Sequence, residues 1–178
     1  MKAKVYVDVN VLIHAIEGVV LPNPDERNVE VYKALTNLFR GYAGCHVQVC
    51  TSHWEVSVLK RKLKELNLAD AVMDAIAFLI DGVDHTGGLE DTVVISDEDY
   101  ANLKVEARMT GEAPDGEDLG HLKAMQRLGV DVFITDDGPF AELMNRGFSG
   151  IEVVKESEFI RLANRGRFYV EARQAVAA

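Results

Sequence analysis

The sequence predicts an α/β/α sandwich built on a mainly parallel, five-stranded sheet. Short apolar runs (VYVDV, HVQVCT, TVVI, DVFIT and IEVV) recur along the chain, and stretches of helical spacing separate them. Strands separated by helices pair in parallel through right-handed crossovers. No repeat, low-complexity segment or linker interrupts the pattern, and 178 residues fit one domain with room for a core.

The first run, VYVDV at residues 5–9, reads as a buried strand although it carries Asp8, with Asn10 just beyond. Asn23, Pro24, Asp25 and Glu26 mark a helix start, with proline at the first position and acids in the first turn. That helix buries Val31, Leu35 and Leu38 and stops at Gly41. Residues 46–51 form the second strand. In HWEVSVLKRKLKEL, Val56, Leu59, Leu63 and Leu66 make one apolar stripe, and Val72, Ile76 and Leu79 repeat it across 70–81, giving a helical hairpin. Residues 92–95 form a third strand, and Ser96 with Asp99 caps the helix after it. A polar loop covers 110–117, and Asp118 opens a helix to about Leu128. The fourth strand covers 131–135, a short helix runs from Pro139 to Gly147, and the fifth strand covers 151–154. The tail from Glu156 reads as helical and packed on the same domain, which spans residues 1–155.

Nearly half the residues are apolar (48%), and Asp8, Glu17 and Asp74 cut the longest apolar stretches well short of the roughly 20 residues a membrane helix needs. Lys2 and Lys4 could begin a signal peptide, but Asp8 and Asn10 interrupt the apolar region that should come next, so a cytoplasmic location is expected. Cys45 and Cys50, five residues apart on a strand, face opposite ways and are expected to be buried, reduced thiols. The net charge of −10 argues against a protein that grips nucleic acid by bulk charge, though not against a local basic patch.

Ligands of parallel α/β sheets bind outside the carboxyl ends of the strands. Asp8 lies at such an end, Glu55 just beyond the second strand, Asp118 at a helix start and Asp137 after the fourth strand. Each has a plain explanation. Glu55 and Asp118 could simply favour the helix macrodipole, and Asp136 to Pro139 could be only a turn and cap. Asp8, buried, must be paired, protonated or metal-bound. If all converge at ~6 Å, their mutual repulsion totals roughly 4 kcal/mol in water and ~17 at an effective dielectric of ~20, which rivals the stability of a domain. Such a cluster takes up protons or a cation. Oxygen ligands without a nearby Cys/His set favour Mg²⁺ or Mn²⁺.

These residues also carry a resemblance. YVDVNVLI with Asp8 and Asn10, TSHWEV with Glu55, EDLGHLKAMQRLGVDVFITDDGPF with Asp118, Thr135 and Asp137, and the closing IEVV resemble the PIN-domain nucleases, which include VapC-type toxins of toxin–antitoxin systems. The matches span residues 4–155 in the family's order. The resemblance implies an acidic quartet of Asp8, Glu55, Asp118 and Asp137, with Asn10 and Thr135 holding its geometry and Asp136 as a substitute for Asp137. It further implies RNA phosphodiester hydrolysis with Mg²⁺ or Mn²⁺, by in-line attack of water that leaves a 5′-phosphate and a 3′-hydroxyl. A homodimer and an antitoxin are the partners it implies.

Lys60, Arg61, Lys62 and Lys64 line the polar face of the helix that carries Glu55, as a phosphate track or as a solvated face. Arg161, Arg165, Arg167 and Arg173 offer the same choice on the tail. His14, His46, His53, His85 and His121 show no metal-ligand spacing, although His53 and His121 neighbour quartet acids; Trp54 and Tyr100 read as core. Two rival functions stand beside the nuclease. A haloacid-dehalogenase-like phosphatase would use Asp8 as nucleophile, but Asn10 stands where its second acid belongs. A catalytically silent PIN-like module binding RNA or protein would suit the acidic surface, and metal binding that is lost without Asp8 excludes it.

Overall fold

The computed structural model describes residues 3–38, 47–68, 116–147 and 150–164. Among these, four strands form one parallel sheet: β1 (Ala3–Val7), β2 (Val47–Cys50), β3 (Val132–Thr135) and β4 (Glu152–Lys155), in the order β2-β1-β3-β4. The helices are α1 (Val9–Val20), α2 (Glu26–Thr36), α3 (His53–Glu65), α4 (Gly116–Leu128), α5 (Gly138–Gly147) and α6 (Glu156–Asn164). The predicted strand at 92–95, the second hairpin arm at 70–81, the helix opened by Ser96 and the tail beyond 164 lie outside the described residues, as do Cys45, His46, His85 and Tyr100.

Alternation along the strands divides the core. Val5, Val7, Val47, Val49, Val132 and Ile134 pack on one face with α1, α2, α3 and α6, through Leu12, Leu35, Leu59 and Phe159. Tyr6, Cys50 and Phe133 point to the other face and meet Leu122 and Met125 of α4 and Phe140 and Met144 of α5. Helices therefore cover both faces of the sheet. Cys50 is a buried thiol.

Two local readings need correction. The first strand ends at Val7 rather than running to Val9, and α1, which the strand reading of VYVDV hides, starts at once. Asp8 is its N-cap, in extended backbone, with its carboxylate accepting from the Asn10 N–H. Valine and isoleucine favour strands locally, but Val9, Leu12, Ile13 and Ile16 follow helical spacing and gain more by burial against the sheet. The second correction is smaller: α4 begins at Gly116, so the polar loop gives its last residues to the helix.

Close approaches fix the helices around the sheet. A Cβ at Gly18 would lie 2.4 Å from the Asn28 carbonyl oxygen, so glycine there lets α2 cross α1 at backbone contact. A Cβ at Gly120 would lie 2.4 Å from the Trp54 indole, which seats α4 on α3. Helix α3 closes with Asn67 in the left-handed region (φ 58°), the Leu68 N–H donating to Leu63 and the Asn67 N–H to Lys64. Its apolar stripe is narrower than predicted: Val58, Leu59 and Leu63 are buried, Val56 only half-buried, and Leu66 is exposed. Among the described residues, no helix is long and apolar enough to cross a membrane.

Candidate metal centre

Because all four strands run the same way, the residues immediately after them gather at one edge. Asp8 follows β1, Thr51, Ser52 and Glu55 follow β2, Asp136 and Asp137 follow β3, and Glu156 follows β4. The strand register sets the innermost contact. Val7 pairs with Ile134, and the Asp8 N–H donates to the Ile134 carbonyl at 2.8 Å, which brings Asp8 level with Thr135. The Thr135 hydroxyl then donates to Asp8 Oδ2 at 2.6 Å and accepts from the Asp137 N–H at 2.9 Å. Asp137 Oδ1 accepts from the Phe140 N–H at 2.9 Å, capping α5.

Glu55 enters from the first turn of α3. Ser52 caps that helix by accepting from the Glu55 N–H, and the Thr51 hydroxyl donates to Glu55 Oε2 at 2.5 Å. The residue is 1% exposed, and its other oxygen, Oε1, is buried and meets no described residue in hydrogen-bond geometry, although the Tyr6 hydroxyl is near enough to favour the charged form. Burial pushes the Glu55 carboxyl well above its usual range; the Thr51 bond opposes this, and the charge of Asp8 adds to it. Asp8 is raised too, first by burial, against the pull of Thr135, the Asn10 N–H and Lys62, with Asp137 raising it further. Lys62 donates to Asn10 Oδ1 at 3.1 Å. The electrostatics thus join Asp8 to both Glu55 and Asp137.

Asp118 is half-buried in the first turns of α4. Three residues on, His121 Nδ1 lies 3.2 Å from the Tyr6 hydroxyl, which also bonds Ser52 Oγ at 2.8 Å. This buried chain ties α4, β1 and the start of α3 together behind Glu55, and burial raises the Tyr6 hydroxyl well above its ordinary value.

The chain matches no family profile, no curated protein and no solved structure. The site therefore has to be read from its own geometry.

A second charged cluster lies along the same edge. His14 of α1, Asp136 and Glu156 place donor atoms within 4.8 Å of one another, a group that could hold a metal ion; among the described residues, the carboxylates of Asp8, Glu55, Asp118 and Asp137 form no group so tight. Glu156 is fully buried. Its Oε2 lies 2.6 Å from His14 Nδ1, and its Oε1 lies 2.6 Å from Arg27 Nη2 in an ion pair without hydrogen-bond geometry. The same Arg27 nitrogen lies 2.6 Å from Asp136 Oδ1. A guanidinium thus already stands between the two carboxylates. Asp136, which the resemblance offers as a substitute for Asp137, pairs with Arg27 of α2.

Sequence reasoning missed this cluster because its members stand far apart along the chain and only the topology unites them. Glu156 carried a usable signal, an acid directly after a strand. The predicted fifth strand ended at Val154, one residue short of β4, so Glu156 read as part of the tail. Of the four basic residues on α3, Lys60, Arg61 and Lys64 are exposed, and only Lys62 is half-buried.

Proposed function

We propose that this protein is a divalent-metal-dependent ribonuclease of the PIN type, cleaving RNA phosphodiester bonds at the carboxyl edge of β1, β2 and β3. The observation that carries this reading is Glu55 Oε1, a buried carboxylate oxygen that no described residue meets in hydrogen-bond geometry, in a carboxyl on which the charge of Asp8 also acts. Burying a charge without a partner is costly enough that a cation or a proton must offset it. The surrounding donors are carboxylate and hydroxyl oxygens, which fit Mg²⁺ or Mn²⁺.

Asp8 and Asp137 would hold the ion, Thr135 fixing the first through its hydroxyl and the second through its backbone N–H. Asp118 is the fourth carboxylate of this reading. Bound there, a divalent ion supplies positive charge to a phosphodiester oxygen and acidifies water for in-line attack. Glu55 would accept the proton from that water through a carboxylate oxygen. Residues 1–155 form the nuclease domain on this reading, with 156–178 as a helical tail packed on it. An antitoxin protein and a second copy of the chain are its partners, as for the toxin half of a toxin–antitoxin pair; an RNA-processing role needs neither.

The test is cleavage of total cellular RNA by purified protein with Mn²⁺, Mg²⁺ or EDTA, beside Asp8→Asn, Glu55→Gln and Asp118→Asn. Metal-dependent cleavage that the substitutions abolish supports the nuclease and its site. Absence of both cleavage and metal binding favours the silent binding module. A second reading puts the ion at His14, Asp136 and Glu156, favoured by their tight grouping and opposed by Arg27. Calorimetric titration with Mn²⁺ and Zn²⁺ separates the two, since Asp8→Asn removes one site and His14→Ala the other.

A further inference from the structure

The basic face of α3 is not uniform. Lys62 is held at the acidic edge by its bond to Asn10 Oδ1, half-buried, whereas Lys60, Arg61 and Lys64 are exposed. Asn10 is bonded in turn to Asp8 through its backbone N–H, so Lys62 stands over the first turn of α1, at the mouth of the carboxylate cluster. Seven residues separate Lys62 from Glu55, which puts both on one face of the helix about 10 Å apart along its axis. Helical side chains lean toward the N-terminus, so the lysine stem is directed toward Glu55 rather than away from it.

We propose that Lys62 binds the reacting phosphodiester in this site, donating from its ammonium to a non-bridging oxygen. This rests on the nuclease reading and assigns the group that receives the substrate. Carboxylates gathered around one divalent ion retain excess negative charge, which repels a phosphodiester anion. An ammonium at their rim offsets that repulsion, and it has three rotatable donors, so it can keep Asn10 while taking a phosphate oxygen.

The experiment compares wild type, Lys62→Met, Lys62→Gln and Lys62→Arg at saturating Mn²⁺, on RNA and on the small diester bis(p-nitrophenyl) phosphate, with Mn²⁺ affinity measured by calorimetry. Lys62→Met and Lys62→Gln are expected to lose about 100-fold in kcat on both substrates, the loss typical when one oxyanion donor is removed. They should bind Mn²⁺ at least as tightly as wild type, because a competing cation has gone. Lys62→Arg should recover part of the rate. An unchanged kcat on both substrates, with wild type active, overturns the proposal and leaves the nuclease standing. A loss confined to KM for RNA, with the small diester unaffected, also overturns it and returns Lys62 to an outer phosphate track. Absence of cleavage by the wild type overturns both the nuclease reading and this assignment.

Discussion

Replacing Glu156 by Gln isolates what the second charged cluster does. Glu156 has a fully buried side chain between two cationic partners, His14 (25% exposed) and Arg27 (49% exposed). Removing one member of a wholly buried ion pair costs about 3–5 kcal/mol because the other charge is stranded. Here the stranded partners reach water, so the cost falls to the roughly 1.5–3 kcal/mol of a hydrogen bond to a charged group. For a chain of this size that corresponds to a melting temperature lower by roughly 3–12 °C.

The pH dependence is the sharper signature. The hydrogen bond to Glu156 raises His14 above its ordinary 6.5; burial opposes it, the charges of Glu156 and Asp136 support it, and Arg27 opposes it. A histidine raised on folding contributes stability that is fully present below about pH 6.5 and is lost as pH rises through the folded value. The wild type should therefore lose melting temperature on that limb, and Glu156→Gln should not. Thermal unfolding at steps from pH 5.5 to 8.5 checks both. A variant that melts with the wild type and keeps its slope would refute the argument.

Three further substitutions probe the packing and the first cluster. Gly120→Ala forces a methyl to 2.4 Å from the indole of Trp54 and should cost about 1–3 kcal/mol by overpacking, read by denaturant unfolding with altered tryptophan fluorescence. Thr135→Val removes the hydroxyl that donates to Asp8 and accepts from Asp137, and should weaken Mn²⁺ binding about 10- to 100-fold by calorimetry, as loss of an outer partner does elsewhere. Asp137→Asn keeps an N-cap acceptor for Phe140 and should leave stability within about 0.5 kcal/mol while abolishing RNA cleavage, whereas Asp137→Ala should also cost about 1 kcal/mol, separable by urea melts.

Parallel sheet and flanking helices were legible because strand alternation and helical spacing are local signals: Val132 to Thr135 and Leu59 with Leu63 announce themselves. Helix α1 was not legible, since its β-branched residues favour the wrong structure locally and only packing against β1 and α2 reverses the preference. Asp8, Glu55, Asp118 and Asp137 could be named from their places after strands and at helix starts, and the structure puts Asp8 within electrostatic reach of Glu55 and Asp137. The partnership of His14, Arg27 and Glu156 could not, because it spans α1, α2 and α6 and leaves no spacing along the chain; Glu156 alone carried a signal, an acid directly after a strand. Nor does spacing tell Lys62 from its neighbours on α3; burial against Asn10 does.

Asp136 and Asp137 show how one turn serves two kinds of site. Thr135 holds Asp137 by its backbone, and the carboxylate caps α5, so that residue stays beside Asp8. Asp136, one step along, is drawn to Arg27 and through it to Glu156 and His14. The second cluster carries its own cations, and its charge is balanced within the fold; a metal ion there must displace a guanidinium already seated between two carboxylates. The first cluster gathers acids around a buried oxygen that no described residue meets in hydrogen-bond geometry, with Lys62 at the rim. Charge balance completed internally holds helices together, and charge balance left to be completed from outside draws in a cation. By that difference the proposed ion site falls at Asp8 and Glu55, and on the same reading the neighbouring cluster fixes the turn that keeps Asp137 in reach of them.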